Sequence, residues 1–272
     1  MIGIWIKAFR LRTLPLAFSS IITGTALAID HFDAVIFVLA ILTTLFLQIL
    51  SNLANDYGDG IKGSDKNRTG EARMVASGAI TPMQMKTAMI LTTIITLIMA
   101  LLLIYVALGK ENFGYSILFF GLGIISITAA IKYTVGNSAY GYSGFGDIFV
   151  FLFFGLLSVV GSYFLFTKHI NIAIFLPGIS IGMLSTAVLN LNNLRDREED
   201  KKNNKNTLVV KFGSDKAKKY HYFLIIGALA SALLYVFLDF KSLYQLIFLV
   251  SFVPLTKNIK TVAQNKVPAK LD

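Results

Sequence analysis

The sequence predicts an all-α protein that crosses a membrane several times as a bundle of helices. Hydrophobic residues make up 55% of the 272-residue chain and charged residues only 15%, and the mean hydropathy is +0.68. The apolar residues occur in long runs, and about 20 of them in a helix span a bilayer. Lysine and arginine are concentrated in alternate loops, as in polytopic membrane proteins. We therefore expect residues 1–272 to form one transmembrane domain.

Eight apolar runs are candidates for membrane-spanning helices. The first contains Pro15 and is among the shortest. Several runs contain small residues, such as Gly121 with Gly123 and Gly178 with Gly182, and these favour close packing of helices in lipid. The predicted spans are Leu14–Ile29, Ala34–Leu53, Met83–Leu108, Gly114–Ile131, Asp147–Phe166, Ile172–Leu194, Tyr220–Leu238 and Ser242–Leu255.

The basic residues predict the orientation in the membrane. Of the 25 lysines and arginines, all but Lys110, Lys168 and Lys241 lie in the amino-terminal segment, around the loops after even-numbered spans, or in the tail. Positive charge is retained on the cytoplasmic side of a membrane. We therefore expect the amino terminus and these loops to be cytoplasmic.

Composition also excludes several classes of function. The chain has no cysteine, which excludes disulfides, thiolate catalysis and thiolate metal sites. The net charge of +10 raises the question of nucleic acid, but the basic residues lie between membrane spans. Orientation and anionic lipid headgroups explain them better, so we expect membrane lipid as a partner and no nucleic acid.

A polar stretch from Asn52 to Arg73 follows the second apolar run. Within it, Asn52, Asn55, Asp56 and Asp59 recur at steps of three and four. This spacing predicts that they share one face at the end of a helix.

A second polar cluster occurs about 140 residues later, at the end of the sixth apolar run. It contains Asn192, Asn193, Asp196 and Asp200, and the two aspartates are four residues apart. Each cluster is followed by lysines and arginines. The correspondence indicates a weak internal repeat of residues 1–135 and 136–256.

The two clusters together predict a magnesium–diphosphate site. Carboxylates at a membrane edge are costly unless they bind something. Aspartate and asparagine oxygens suit Mg²⁺, which takes one or two carboxylates together with water and phosphate oxygens. Basic residues beside the clusters would neutralise the diphosphate. The candidate metal ligands are Asp56, Asp59, Asp196 and Asp200, and the candidate phosphate-binding residues are Lys62, Arg68, Arg73 and Lys205.

Other interpretations of the charged and aromatic residues remain open. A charge run in a single loop is more often solvated surface, and this is the better interpretation of Glu198, Glu199, Lys201 and Lys202. The aromatic run 149–154 fits a lipid-facing or core segment better than a wall of a prenyl channel. A transporter with acidic vestibules is also possible, although transporters usually place charges near the middle of the membrane.

The clusters resemble the motifs of the UbiA superfamily of intramembrane prenyltransferases. Asn55, Asp56 and Asp59 match its N-D-x-x-D motif, and Asp196 and Asp200 match its D-x-x-x-D motif. The chain most resembles the menaquinone branch, over nearly its whole length. The passages that carry this finer resemblance are 11–15, 63–65 with Arg68 and Arg73, 133–134, 144–147, 192–196 and 205–208, where Asn204 replaces the branch's glycine.

The resemblance implies a reaction and a set of site residues. The enzyme would transfer a polyprenyl group from polyprenyl diphosphate to 1,4-dihydroxy-2-naphthoate, with Mg²⁺, releasing CO₂ and diphosphate and giving demethylmenaquinone. Other acceptors of the superfamily, such as 4-hydroxybenzoate or homogentisate, remain alternatives. The four aspartates would be catalytic. The substrate-binding residues would be Asn52, Asn55, Lys62, Asp65, Arg68, Arg73, Asn192, Asn193 and Lys205.

The resemblance also implies a location and a helix count. It implies a UbiA-type bundle around a central cavity, in the bacterial cytoplasmic (inner) membrane, with the active site facing the cytoplasm. Members of the superfamily have nine spans. Since eight are predicted here, we expect the last helix to be missing from this chain.

Overall fold

The computed structural model describes residues 2–64 and 73–271 of the protein. Every regular element among them is a helix, and none of these residues forms a strand, which confirms the predicted all-α class. Short 3-10 turns connect several of the helices. The helices are α1 (Ile2–Phe9), α2 (Leu14–Leu27), α3 (Ala34–Lys62), α4 (Pro82–Leu108), α5 (Phe113–Lys132), α6 (Gly146–Thr167), α7 (Phe175–Lys202), α8 (Leu208–Phe212), α9 (Ser214–Leu238) and α10 (Leu249–Gln264).

Seven helices in the described part of the chain are long and apolar enough to cross a membrane. They include α3 to α7, α9, and α10 with its preceding turn. The predicted count of eight is not confirmed, because α2, the first predicted span, has only 14 residues. At a rise of 1.5 Å per residue it measures about 21 Å, short of the roughly 30 Å of a bilayer core. It begins beside Pro15 and ends at Leu27, where the backbone turns into a 3-10 segment.

Local sequence explains where the long helices of the first half begin and end. The side chain of Asp33 accepts hydrogen bonds from the backbone N–H groups of Val35 and Ile36 and caps α3. Helix α3 ends at Lys62 because Gly63 adopts a left-handed conformation with φ of 74°. Thr81 begins α4 with a capping box, and Pro82 follows as its first residue.

The polar ends of α3 and α7 meet on one side of the bundle. The side-chain amide of Asn203, just after α7, donates a 3.0 Å hydrogen bond to the backbone carbonyl of Ser64, just after α3. Helix α3 packs along α4, and α7 packs along α6 and α9. A buried apolar cluster that includes Leu50, Leu53 and Met85 packs around α3 next to its polar end. This arrangement places both acidic clusters at one end of a central space.

Glycine packing differs between the helices. A Cβ atom at Gly155 of α6 would lie 2.5 Å from the carbonyl oxygen of Gly178 and 2.6 Å from Cα of Gly182, so α6 and α7 approach closely there. The predicted packing role of Gly178 and Gly182 is therefore confirmed. The same prediction was wrong for Gly121 and Gly123 of α5, where an added Cβ would meet no atom within 4 Å.

Candidate active site

A central cavity of 280 Å³ lies between α2, α3, α5, α6 and α7. Its wall is polar at one end and apolar at the other. The polar residues that the sequence analysis selected and that line this wall are Asn52, Asn55, Asp59, Arg73, Asn192, Asn193, Asp196 and Lys205. The apolar part includes Phe149, Phe153, Phe154 and Leu157 of α6.

Asp59 is at the centre of the polar end and is only 1% exposed. Its Oδ1 accepts a 2.7 Å hydrogen bond from the hydroxyl of Tyr142. Its Oδ2 lies 3.9 Å from Nη2 of Arg73 and 3.8 Å from Nζ of Lys205. The carboxylate therefore has a fixed orientation beside two positive charges that face the cavity.

Lys205 joins the two acidic clusters. Its Nζ lies 3.6 Å from Oδ1 of Asp200, as well as near Asp59. The two carboxylate oxygens are therefore no further apart than the sum of these distances. That is far below the roughly 15 Å beyond which Mg²⁺ ions with oxygen ligands near 2.1 Å no longer bridge one diphosphate.

The environment of Lys205 keeps its side chain charged. Burial alone would lower the pKa of Lys205, but the carboxylates of Asp59 and Asp200 outweigh it and raise the pKa above its ordinary value. The backbone N–H of Lys205 donates to the carbonyl of Asp200 at 2.8 Å, so the chain folds back after α7. Asn204 makes this turn with φ of 56°. Asparagine tolerates the left-handed conformation better than most residues. Asn204 can therefore make the turn for which the resemblance to the menaquinone branch implies a glycine.

Asp56 binds the backbone of the segment that follows Arg73. Its two carboxylate oxygens accept hydrogen bonds of 2.9 Å from the backbone N–H groups of Met74 and Val75. The side chain is 1% exposed and does not line the cavity. In this structure Asp56 fixes the segment that brings Arg73 to the cavity, and its role as a metal ligand stays a prediction.

In the second cluster, Asp196 lines the cavity and is held by its neighbour. Nε and Nη2 of Arg195 donate to its two oxygens at 2.8 Å and 3.0 Å. Asn192 and Asn193 lie on the same wall. The sequence analysis did not select Arg195, although a bidentate arginine beside a motif aspartate is a common arrangement.

The asparagines and the lysine of the first cluster form hydrogen bonds to residues outside the two acidic clusters. Asn52 donates to the backbone carbonyl of Phe9 at 2.9 Å, and Asn55 accepts a 3.3 Å hydrogen bond from Thr134. Lys62 donates to the carbonyl of Thr134 at 2.8 Å and lies beside the cavity without lining it. The remaining predicted residues, Asp65 and Arg68, lie outside the described residues.

Tyr142 and Tyr133 were missed by the sequence analysis. Tyr142 contacts Asp59, and Nζ of Lys62 lies 3.9 Å from the centre of its ring. Tyr133 lines the cavity, and burial raises its pKa to about 12, with Lys205 acting in the opposite direction. Both lie in the passage between α5 and α6. The sequence analysis connected Tyr133 with the menaquinone branch without assigning it a role, and it did not mention Tyr142.

The residues present fit a magnesium ion that binds together with a phosphate ligand. Among residues 2–64 and 73–271, no group of three or more histidine, aspartate or glutamate side chains is placed to hold a metal ion alone. Asp59 offers one carboxylate on the cavity wall, which also contains Asn55, Asn192 and Asn193. Asp200 does not line the cavity but lies 3.6 Å from Nζ of Lys205, which does. Mg²⁺ typically takes one or two carboxylates and completes its shell with water and phosphate oxygens.

A comparison with known protein families identifies the family of the chain. The model of the UbiA prenyltransferase family matches residues 17–267. The chain belongs to this family. The predicted family resemblance is thereby confirmed, and the UbiA-family chain, with its seven apolar helices, is an integral membrane protein.

Relatives of this UbiA-family protein include two bacterial enzymes. The 1,4-dihydroxy-2-naphthoate octaprenyltransferase of Escherichia coli (strain K12) is 46% identical over 98% of this chain and 87% of its own length. The enzyme of the same name from Haemophilus influenzae is 48% identical over 81% of this chain and 73% of its own.

A solved structure shares the fold. The UbiA homolog from Archaeoglobus fulgidus bound to GPP and Mg²⁺ has a TM-score of 0.70 with this protein and 16% sequence identity, and the match covers 96% of this chain and 88% of that one. The similarity supports the UbiA-type bundle predicted from the sequence.

Proposed function

We propose that this protein transfers a polyprenyl group from polyprenyl diphosphate to 1,4-dihydroxy-2-naphthoate in a Mg²⁺-dependent reaction. The products are demethylmenaquinol (the hydroquinone form of demethylmenaquinone), CO₂ and diphosphate. The observation that carries the proposal is the position of Lys205, which lines the polar end of the cavity and lies between Asp59 and Asp200. The two bacterial relatives named for this acceptor support its identity.

The polar end of the cavity binds the diphosphate of the donor in this proposal. Asp59 and Asp200 would hold Mg²⁺, with Asp196 on the cavity wall. Arg73 and Lys205 contact the phosphate oxygens directly, since both already lie beside Asp59. When bound, Mg²⁺ neutralises charge on the diphosphate as the leaving group departs.

The chain's own cations and apolar wall assist the ionisation step. The bond between the allylic carbon and the diphosphate oxygen breaks, and the bonding electrons leave with the diphosphate. Arg73 and Lys205 stabilise that developing charge within a largely buried site, where such contacts are stronger than in water. The apolar residues beyond them exclude water, which would otherwise capture the allylic cation.

The apolar end of the cavity binds the prenyl chain. Tyr140 stacks on Phe149 with ring centres 4.0 Å apart, and Phe149 stacks on Phe153 at 5.9 Å. All three line the cavity, so an aromatic wall leads from the polar end along α6. The presence of Phe149 and Phe153 in this wall supports the prenyl-channel interpretation over a purely lipid-facing one.

The acceptor completes the reaction at the ring carbon that bears its carboxylate. That carbon attacks the allylic carbon and forms the new C–C bond. The bond to the carboxylate then breaks, its electron pair restores the aromatic ring, and CO₂ leaves. The concentration of basic residues at the polar end supports an active site that faces the cytoplasm, in the bacterial cytoplasmic membrane.

An assay with purified protein in lipid nanodiscs tests the proposal. Octaprenyl diphosphate and carboxyl-labelled 1,4-dihydroxy-2-naphthoate are supplied with MgCl₂ or with EDTA. We expect labelled CO₂ and demethylmenaquinol in equal amounts, with Mg²⁺ only, and the quinol is measured as demethylmenaquinone after oxidation in air. 4-Hydroxybenzoate and homogentisate are tested in parallel, and a higher kcat/KM for either one would overturn the assignment of the acceptor.

A further inference from the structure

Arg10 has an unusual backbone conformation at the wall of the cavity. It follows the last residue of α1 and has φ of 50° and ψ of 55°, in the left-handed region. Residues other than glycine rarely adopt this conformation, and asparagine and aspartate are the usual exceptions. A residue other than glycine keeps such a conformation only where the surrounding structure holds it there. Arg10 lines the cavity.

Helix α3 holds the turn that presents Arg10. The hydroxyl of Thr13 donates to the carbonyl of Arg10 at 3.0 Å. That hydroxyl accepts hydrogen bonds from Gln48 at 3.1 Å and from Asn52 at 3.0 Å. Asn52 also donates to the carbonyl of Phe9. Polar side chains of α3 thus hold the backbone before and after Arg10, which gives this residue a defined position relative to α3.

The position of Arg10 differs from that of the other cavity cations. In the described part of the chain, the lysines and arginines of the cavity wall are Arg10, Arg73 and Lys205. Arg73 and Lys205 lie at Asp59, whereas Arg10 lies at the level of Asn52. Asn52 precedes Asp59 by seven residues, or about 10 Å along the helix. The backbone of Arg10 is therefore anchored deeper along α3 than Arg73 and Lys205, at a second basic position of the cavity wall.

We propose that Arg10 binds the carboxylate of the aromatic acceptor. This inference rests on the proposed function, in which the donor brings one anionic group and the acceptor another. A guanidinium group binds a carboxylate through two parallel hydrogen bonds, which fixes orientation as well as position. Bound in this way, the acceptor presents the ring carbon beside its carboxylate to the allylic carbon of the donor.

A purely structural role of Arg10 makes a different prediction. If Arg10 served only to end α1 in a left-handed turn, glycine would serve better, because it adopts this conformation without steric cost. The variant Arg10→Gly therefore separates the two roles. We expect its melting temperature in detergent to equal or exceed that of the wild type while binding of the aromatic carboxylate is lost.

Ligand binding can be measured without turnover. Trp5 is the single tryptophan of the chain and lies on α1, with its ring centre 6.3 Å from that of Phe9. A change in Trp5 emission when a probe is added therefore reports binding near Arg10. The probes are 1-hydroxy-2-naphthoate and 1-naphthol, which differ in the carboxylate. We expect Arg10→Gln to reduce the preference for the carboxylate probe by about tenfold or more.

Arg12→Gln is the matched control, since it removes the same charge two residues away on an exposed side chain. We expect it to leave the preference for the carboxylate unchanged. Equal weakening of both probes by Arg10→Gln would overturn the proposal, as would a loss of polyprenyl diphosphate binding instead. If the wild type fails to prenylate 1,4-dihydroxy-2-naphthoate but Arg10 still selects carboxylates, the proposed function fails and the carboxylate site stands.

Discussion

The hydroxyl of Tyr142 donates a 2.7 Å hydrogen bond to Oδ1 of Asp59. Burial and the charge of Asp59 both raise the pKa of Tyr142, so the phenol stays protonated and remains a donor. Its ring lies beneath the ammonium of Lys62 and within 5.5 Å of that of Lys205. Tyr142 thus orients the carboxylate that we assign to Mg²⁺ and helps to place the lysine that joins the two clusters.

We expect Tyr142→Phe to weaken the apparent affinity for Mg²⁺ by about 10–100-fold, the effect typical of residues that orient a metal ligand. The ring, and with it the contact to Lys62, is retained, so the change isolates the hydroxyl. The measurement is turnover as a function of MgCl₂ concentration. Tyr222→Phe in α9, on the apolar cluster of Val209 and Val262, is the control. An unchanged Mg²⁺ dependence in Tyr142→Phe would remove Tyr142 from this role.

The two aspartates of the first motif should respond differently to isosteric substitution. We expect Asp59→Asn to abolish turnover, since it removes charge at the proposed metal site, and to lower the melting temperature less than Asp56→Asn does, because the amide oxygen still accepts from Tyr142 and Lys205 keeps Asp200. Asp56→Asn should lower the melting temperature, because one of the two backbone N–H groups of Met74 and Val75 would face an amide donor. Thermal denaturation and turnover are measured on the same samples. Equal melting temperatures for the two variants would contradict this division of roles.

Lys205→Met should act mainly on the donor. Its ammonium lies between Asp59 and Asp200 at the predicted diphosphate position, so we expect the KM for polyprenyl diphosphate to rise by about tenfold or more. The KM for the acceptor should change much less. Lys211→Met removes the same charge from an exposed side chain that donates to the carbonyl of Ser143 and is the control. A larger effect on the acceptor KM would argue against diphosphate contact.

The sequence predicted the helices and both acidic clusters because their signals are local. Runs of apolar residues define the spans, and steps of three and four place Asn52 to Asp59 on one helix face. The capping pair at Thr81 and Pro82 likewise needs no tertiary information. Helix α2 was predicted as a span because composition alone does not show where its last turn ends.

Other parts of the site depend on contacts between distant residues. Tyr142 is 83 positions from Asp59, and nothing in its neighbourhood indicates that the two meet. The structural role of Asp56 follows from backbone N–H groups 18 and 19 residues later, which carry no side-chain signal. Arg10 was seen only as part of a basic amino-terminal segment, because its left-handed backbone depends on hydrogen bonds from α3.

Glycine at α6 provides a test of packing that is separate from catalysis. A Cβ at Gly155 would lie 2.5 Å from the carbonyl oxygen of Gly178 and 2.6 Å from Cα of Gly182, closer than real contacts allow. Both neighbours are backbone atoms of α7, which cannot move aside as a flexible side chain does. Gly155→Ala must therefore push α6 away from α7.

We expect Gly155→Ala to destabilise the protein by about 1–3 kcal/mol, the usual effect of overpacking, and to lower its melting temperature in detergent. Gly121→Ala in α5 is the matched control, since an added Cβ there meets no atom within 4 Å. It should be neutral or slightly stabilising, because alanine favours the helix more than glycine does. Because Gly155 lies on the same helix as Phe149 and Phe153, the shift should also reshape the apolar cavity wall. Equal melting temperatures for the two variants would show that α6 and α7 do not approach as closely as the structure indicates.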